Sequence, residues 1–185
     1  GHSTRRAFRA KVLSGLIELV NASSILEVGV DDGTMSEVIL NTNPHLQWYG
    51  VDCWDACALC WEEGEKSRQY GSELNEPFRD DVSAEDVARA RLAPFGERAM
   101  LVKGTSVTAA ADPRLPEKFD IVFVDACHSQ EALEADLRTW MPRAGLLAGH
   151  DYNLQYPGVL EAVHDHTLPG RTLFLAADSI YYWMG

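Results

Sequence analysis

The sequence predicts one α/β domain, built on a seven-stranded, mostly parallel sheet with helices on both faces and an antiparallel last strand. Three observations predict it. A short apolar run, Ile25 to Val28, meets a glycine turn and then a helical pattern. Further apolar runs, several ending in an acid, alternate with helical stretches down the chain. Two short runs joined by Ala177-Asp178 then close it as a hairpin.

Bulk properties bound the reading. At 185 residues the chain can bury one core and is too short for two. A formal charge of −12 argues against a nucleic-acid partner, because phosphate binding draws on clustered Lys and Arg. The charge reads instead as solubility. No apolar run approaches membrane-spanning length and no signal peptide is visible, so no membrane partner is expected and the cytoplasm is the expected compartment. Gly1-His2-Ser3 reads as a cloning scar ahead of a single domain from 4 to 185. Four unevenly spaced cysteines do not suggest a secreted disulfide framework.

Each element has its own signal. Thr4 to Asn21 carries Phe8, Val12, Leu13, Leu16, Ile17 and Val20 as a helical apolar stripe, with Arg5, Arg6, Arg9 and Lys11 on the solvated side. Strand one ends near Glu27. Gly29 then allows a sharp turn, and Gly33 allows a ligand to approach the main chain before the helix from Met35 to Leu40. Asn43-Pro44 breaks the chain ahead of strand two, Leu46 to Asp52. Cys53 to Val82 is longer than an ordinary strand-to-helix connection and carries Trp54, Trp61, Tyr70 and Phe78. It is either a lid and substrate wall or a partly helical surface insertion.

The second half continues the alternation. Ser83-Ala84-Glu85-Asp86 resembles a capping box and opens a helix through Leu92. Ala99 to Lys103 is strand three, followed by the turn Gly104-Thr105-Ser106. Strand four, Lys118 to Asp125, leads to a helix from Ser129 to Met141 with Leu133, Leu137 and Trp140 on one face. A turn at Pro142 to Gly145 precedes strand five, Leu146 to Asp151. Pro157-Gly158-Val159 opens a helix to about His164, and Arg171 to Ala176 with Ser179 to Met184 form the closing hairpin.

The first turn carries the donor-site expectation. Glu27-x-Gly29-x-x-x-Gly33 is not the G-x-G-x-x-G of a dinucleotide site. It resembles motif I of the class I, Rossmann-like methyltransferases that use S-adenosyl-L-methionine (SAM). Asp52 ends strand two about 20 residues past the turn, where an acid can accept hydrogen bonds from ribose hydroxyls. The resemblance implies that Glu27, Gly29, Val30, Asp31, Gly33, Asp52, Cys53, Thr105, Ser106 and Asp125 surround SAM. Thr105 departs from the family pattern, which often has an acid beside the adenine.

A second pattern implies the chemistry. Asp125-Ala126-Cys127-His128-Ser129, Asp136-Leu137, Gly149-His150-Asp151-Tyr152 and Pro157-Gly158-Val159 with Ala162-Val163 follow one another. They resemble a methyltransferase family that includes sugar and macrolide O-methyltransferases and their metal-dependent relatives. Ala126-Cys127 and Gln130 depart from its pattern. Asp125 and Asp151 end adjacent strands, so both project from the carboxyl edge. There a divalent cation (magnesium, manganese or zinc) on Asp125, His150 and Asp151 could bind an acceptor hydroxyl and lower its pKa. His128 could take the proton, and His150 is a ligand, a base or a structural histidine. An imidazole favours softer metals than magnesium.

The expected function is therefore SAM-dependent O-methylation of a small-molecule hydroxyl, by a chain that is also compatible with a homo-oligomer. Two rivals stand beside it. One is a scaffold domain of the same fold that has lost turnover, marked by Thr105 and Ala126-Cys127. The other is a zinc or iron–sulfur protein using Cys53, Cys57 and Cys60, whose C-x3-C-x2-C spacing matches a radical-SAM cluster site. That motif follows the first strand of a barrel, whereas this one follows strand two of an open sheet.

Overall fold

Alternation inside the strands decides the architecture. In β1 (Ser24–Val28), Ile25 faces one apolar layer and Leu26 and Val28 the other. In β4 (Phe119–Val124), Ile121 and Phe123 face the first layer, Val122 and Val124 the second. A strand apolar on both faces must be covered on both, which forces helices to either side of the sheet. The computed structural model describes residues 2–54, 83–167 and 171–185.

The sheet has seven strands in the order β3-β2-β1-β4-β5-β7-β6. The remaining strands are β2 (Gln47–Asp52), β3 (Ala99–Lys103), β5 (Ala144–Gly149), β6 (Phe174–Ala176) and β7 (Ile180–Met184). The five strands β1 to β5 pair in parallel, and β7 runs antiparallel to both β5 and β6. One apolar layer packs α1 (His2–Leu19), α2 (Thr34–Thr42) and α3 (Ala84–Leu92) on the sheet. The other packs α4 (Ser106–Ala109), α5 (Gln130–Trp140) and α6 (Pro157–His166). The expected fold class is the observed one. Among the described residues, no helix is long and apolar enough to cross a membrane.

Local chemistry sets the element ends. α1 stops at Asn21, which takes a positive φ of 51°, and Ala22 N donates to the carbonyl of Ile17 at 2.9 Å. Asparagine tolerates this left-handed geometry better than most side chains. The capping box at Ser83 is present in full, with Asp86 as its partner. Strand five starts at Ala144, two residues earlier than the turn signal suggested, because Phe119 pairs with Ala144 at that end. The penultimate strand is limited to Phe174–Ala176.

One expectation for α1 is corrected. Leu13, Leu16 and Ile17 are buried, but Phe8 is 48% exposed while the Arg6 and Arg9 side chains are largely covered. Arg6 and Arg9 precede Leu13 by three-plus-four spacing, so they lie on the buried stripe and Phe8 does not. Beyond Trp54, the long insertion lies outside the described residues, and with it Cys57 and Cys60 of the cysteine motif and the question of a lid.

Candidate active site

Register brings the strand ends into line. Val28 pairs with Val51 on one side and Val124 on the other, and Val124 pairs with Gly149. The residues that follow, Gly29, Asp52, Asp125 and His150, therefore stand side by side at the carboxyl edge of four adjacent strands. Gly29 N, Asp125 N and His150 N extend the ladder to Val51 O, Val28 O and Val124 O at 2.9, 2.8 and 3.1 Å. Strand order reverses between β1 and β4, which is where open α/β sheets bind ligands.

The β1–α2 turn is tied to Asp52. One carboxylate oxygen, Oδ2, accepts from Val30 N at 2.8 Å and Asp31 N at 2.9 Å, and the other, Oδ1, accepts from Trp54 N at 2.7 Å. A carboxylate offers about four acceptor positions. Three are occupied here, which leaves about one for an incoming hydroxyl rather than the pair expected. Gly29 has φ 94°, and a β-carbon there would lie 2.1 Å from the Asp125 carbonyl oxygen. Only glycine fits between the two strand ends. Gly33 (φ 74°) precedes the first turn of α2, and a β-carbon there would meet Ala88 of α3 at 3.3 Å. Its glycine is thus explained by backbone conformation and helix packing.

Other residues expected near the donor serve the turn from below or beside it. Glu27 is 1% exposed and its Oε2 accepts from Ser36 Oγ and Trp48 Nε1, both at 2.8 Å. Burial pushes its pKa up to about 8, against the pull of those two donors. Asp31 and Asp32 are both bonded by Arg6, and Arg91 Nε donates to the Asp32 carbonyl at 3.1 Å. Thr105 caps α4 by accepting from Thr108 N, and Ser106 Oγ accepts from Trp140 Nε1 at 2.7 Å. Both hydroxyls are thus engaged within the α4–α5 layer. Cys53 follows Asp52 at the edge, and Trp54 Nε1 donates to Asp31 O at 2.8 Å.

Glu27 gives a stability prediction. Its folded pKa lies above the ordinary value of 4.5, so the native state holds a proton that the unfolded state releases. That stabilisation is complete below the unfolded pKa and is lost as pH rises through about 8. Glu27→Gln should therefore melt several degrees higher than the parent at pH about 9, with the gap shrinking toward pH about 5.5. Melting curves across that range check it.

The β4 and β5 ends gather a second group. His128 Nε2 lies 2.8 Å from Asp151 Oδ2, and its ring packs on Tyr156 with centroids 4.2 Å apart. His150 is 8% exposed, with Nδ1 at 2.9 Å from Asp151 Oδ1 and 3.6 Å from Asp125 Oδ1. Its Nε2 is 3.4 Å from Asp178 Oδ2, yet among the described residues neither ring nitrogen makes a well-directed hydrogen bond. Burial opposes the Asp151 charge, but His128 and His150 outweigh it and hold that carboxyl well below the usual range. Asp151 itself takes φ 63°, which turns its side chain back toward both imidazoles.

Two participants were not visible in the motifs. Arg9 Nη1 donates to Asp125 Oδ2, and its Nε donates to Asp178 Oδ2 at 3.0 Å. Asp178 reaches the site from the β6–β7 turn, where it and Ser179 both have positive φ. The heptad-like spacing to Leu13 was the signal for Arg9. Asp178 had none, since its contact spans 169 positions.

A metal was expected on Asp125, His150 and Asp151. The atoms that come within 4.8 Å of one another belong instead to Asp125, His128 and Asp151. Each of the three also has a protein partner. Arg9 holds Asp125, and His128 and Asp151 hold each other.

A seven-stranded sheet in this order, with a glycine turn and acids on its carboxyl edge, is the class I methyltransferase fold. Comparison with known proteins agrees. The model of a family described as "Methyltransferase domain" matches residues 26–152, and the chain belongs to that family. No curated protein matches the sequence. Among solved structures, a protein assigned as a caffeoyl-CoA O-methyltransferase from Staphylococcus aureus aligns at TM-score 0.66 and 15% identity, over 96% of this chain and 83% of its own. An O-methyltransferase from Bacillus cereus, in complex with SAH, aligns at 0.57 and 15%, over 96% and 81%. TomG, an O-methyltransferase from Streptomyces achromogenes in complex with SAM, aligns at 0.57 and 16%, over 95% and 78%.

Proposed function

We propose that the chain transfers the methyl group of SAM to a hydroxyl of a small-molecule acceptor. The observation that carries the proposal is the alignment of two groups on one edge. Gly29 and Asp52 stand beside Asp125 and the His150-Asp151 pair, at the point where strand order reverses. The structural neighbours named above add support, since they are O-methyltransferases and two hold SAM or its product, S-adenosylhomocysteine (SAH).

In this reading Asp52 accepts from one ribose hydroxyl with its remaining lone pair. The backbone of Gly29, Val30, Asp31 and Gly33 lines the donor, with Cys53, Thr105 and Ser106 around its nucleoside end. Glu27 supports the turn from within, and Asp125 stands between donor and acceptor. The acceptor hydroxyl lies against His128. Its oxygen attacks the methyl carbon in line, the carbon–sulfur bond breaks as the carbon–oxygen bond forms, and the sulfonium becomes the neutral thioether of SAH. The hydroxyl proton passes to His128, and Asp151 stabilises the resulting imidazolium. Much of the rate comes from holding oxygen, carbon and sulfur in line.

The test is release of SAH from SAM with a panel of sugar, phenol and aliphatic hydroxyl compounds. Acceptor-dependent release supports the proposal. Tight SAM binding with no release on any acceptor would favour a scaffold domain instead.

A further inference from the structure

We infer that Arg9 is the resident cation of the acceptor edge, occupying on Asp125 the position a divalent metal would need, so that this site works without one. The inference rests on the methyltransferase reading above only for what the edge does. The geometry behind it stands alone.

Three of the four carboxylate oxygens of Asp125 and Asp151 are in contact with a protein nitrogen. Asp125 Oδ2 accepts from Arg9 Nη1, and Asp125 Oδ1 is 3.6 Å from His150 Nδ1. Asp151 Oδ1 is 2.9 Å from that same nitrogen, and Asp151 Oδ2 is 2.8 Å from His128 Nε2. A metal on Asp125 at the Asp125–His128–Asp151 cluster must therefore displace the Arg9 guanidinium or sit beside it. The guanidinium already neutralises Asp125 and would repel a second cation placed beside it.

Arg9 is also held too firmly to be a casual surface partner. Its guanidinium is fixed at two atoms by two separate elements, Asp125 after β4 and Asp178 in the β6–β7 turn. Its side chain is only 17% exposed. Moving it aside would leave Arg9 and Asp178 unpaired where water reaches poorly, which opposes displacement. A planar guanidinium suits this bridging role, since its donors point in fixed directions. Its charge also offsets Asp125 next to the place where an acceptor oxygen gains negative charge. Arg9 is thus a positioning residue, which acts by fixing and neutralising Asp125.

Manganese titration of chelator-treated protein tests this without any acceptor. The parent should show no stoichiometric manganese binding at millimolar concentration, and its methyl transfer should be indifferent to chelator. Arg9→Gln, with Arg9→Ala as a second variant should one of them fold poorly, should gain one manganese site per chain. Adding Asp125→Asn should abolish that gain. One manganese per parent chain that is lost in Asp125→Asn would overturn the inference. So would Arg9 variants that fold, by melting curve, yet bind no manganese. SAH titration of the same samples separates the two readings. Loss of SAH binding by the parent, with the manganese pattern intact, would sink the methyltransferase reading and leave the Arg9 assignment standing.

Discussion

Gly29→Ala is expected to abolish SAH binding and to lower the melting temperature by roughly 5–20 °C. The left-handed backbone costs a side chain about 1–2 kcal/mol. The β-carbon placed 2.1 Å from the Asp125 carbonyl oxygen must also push two strand ends apart. Overpacking of that kind costs about 1–3 kcal/mol more, and each kcal/mol moves the melting point of a domain this size by about 2–4 °C. The same shift separates Asp52 from the Val30 and Asp31 amides it holds. Gly15→Ala is the control. It lies in α1 with no atom of the described residues within 4 Å of a new β-carbon, so it should stabilise the protein by about 0.4–1 kcal/mol. Equal melting temperatures for Gly29→Ala and the parent would refute this account of the turn.

His128→Ala should lower kcat roughly 10²–10⁴-fold, the usual range for loss of a general base. SAH affinity should remain close to that of the parent, because the proposed function puts His128 on the acceptor side of Asp125. The variant also leaves Asp151 short of its 2.8 Å partner and removes the ring stacked on Tyr156. His128→Gln keeps a hydrogen-bonding group near Asp151 without a titrating nitrogen, and it should be nearly as slow. Full activity in His128→Gln would exclude the base role and leave His128 as a structural partner of Asp151. Single-turnover assays with saturating SAM separate these outcomes.

The strands and their edge were legible because they follow local rules. Apolar runs of strand length ending at Glu27, Asp52, Asp125 and Asp151 locate the carboxyl edge, and the glycine turn locates its first crossover. The helix carrying Leu133, Leu137 and Trp140 buries those three residues, as their spacing requires. What the motifs could not convey is which hydrogen bonds the protein makes to itself. Asp52 stands at the expected strand end, yet three backbone amides claim most of its acceptor capacity. Thr105 and Ser106 stand after β3 as expected, but their hydroxyls turn to Thr108 and Trp140.

The arginines show the same limit from the other side. A basic residue near a chain end suggests solvent, and only the register with Leu13 and Ile17 reveals that Arg6 and Arg9 point inward. There they meet Asp31, Asp32 and Asp125, acids contributed by two different strand ends. Charge pairing at this distance in sequence has no periodic signature. It emerges once the sheet order places α1 above the β1 and β4 ends.

The most direct test of the central claim is calorimetric titration of SAH into the parent and Asp52→Ala proteins. The account predicts one SAH per chain for the parent. It predicts binding at least ~10-fold weaker for Asp52→Ala, since that change removes charged hydrogen bonds worth about 1.5–3 kcal/mol each from the donor turn. No binding by folded parent protein, or equal binding by both, would contradict a donor site at the β1–β2 edge.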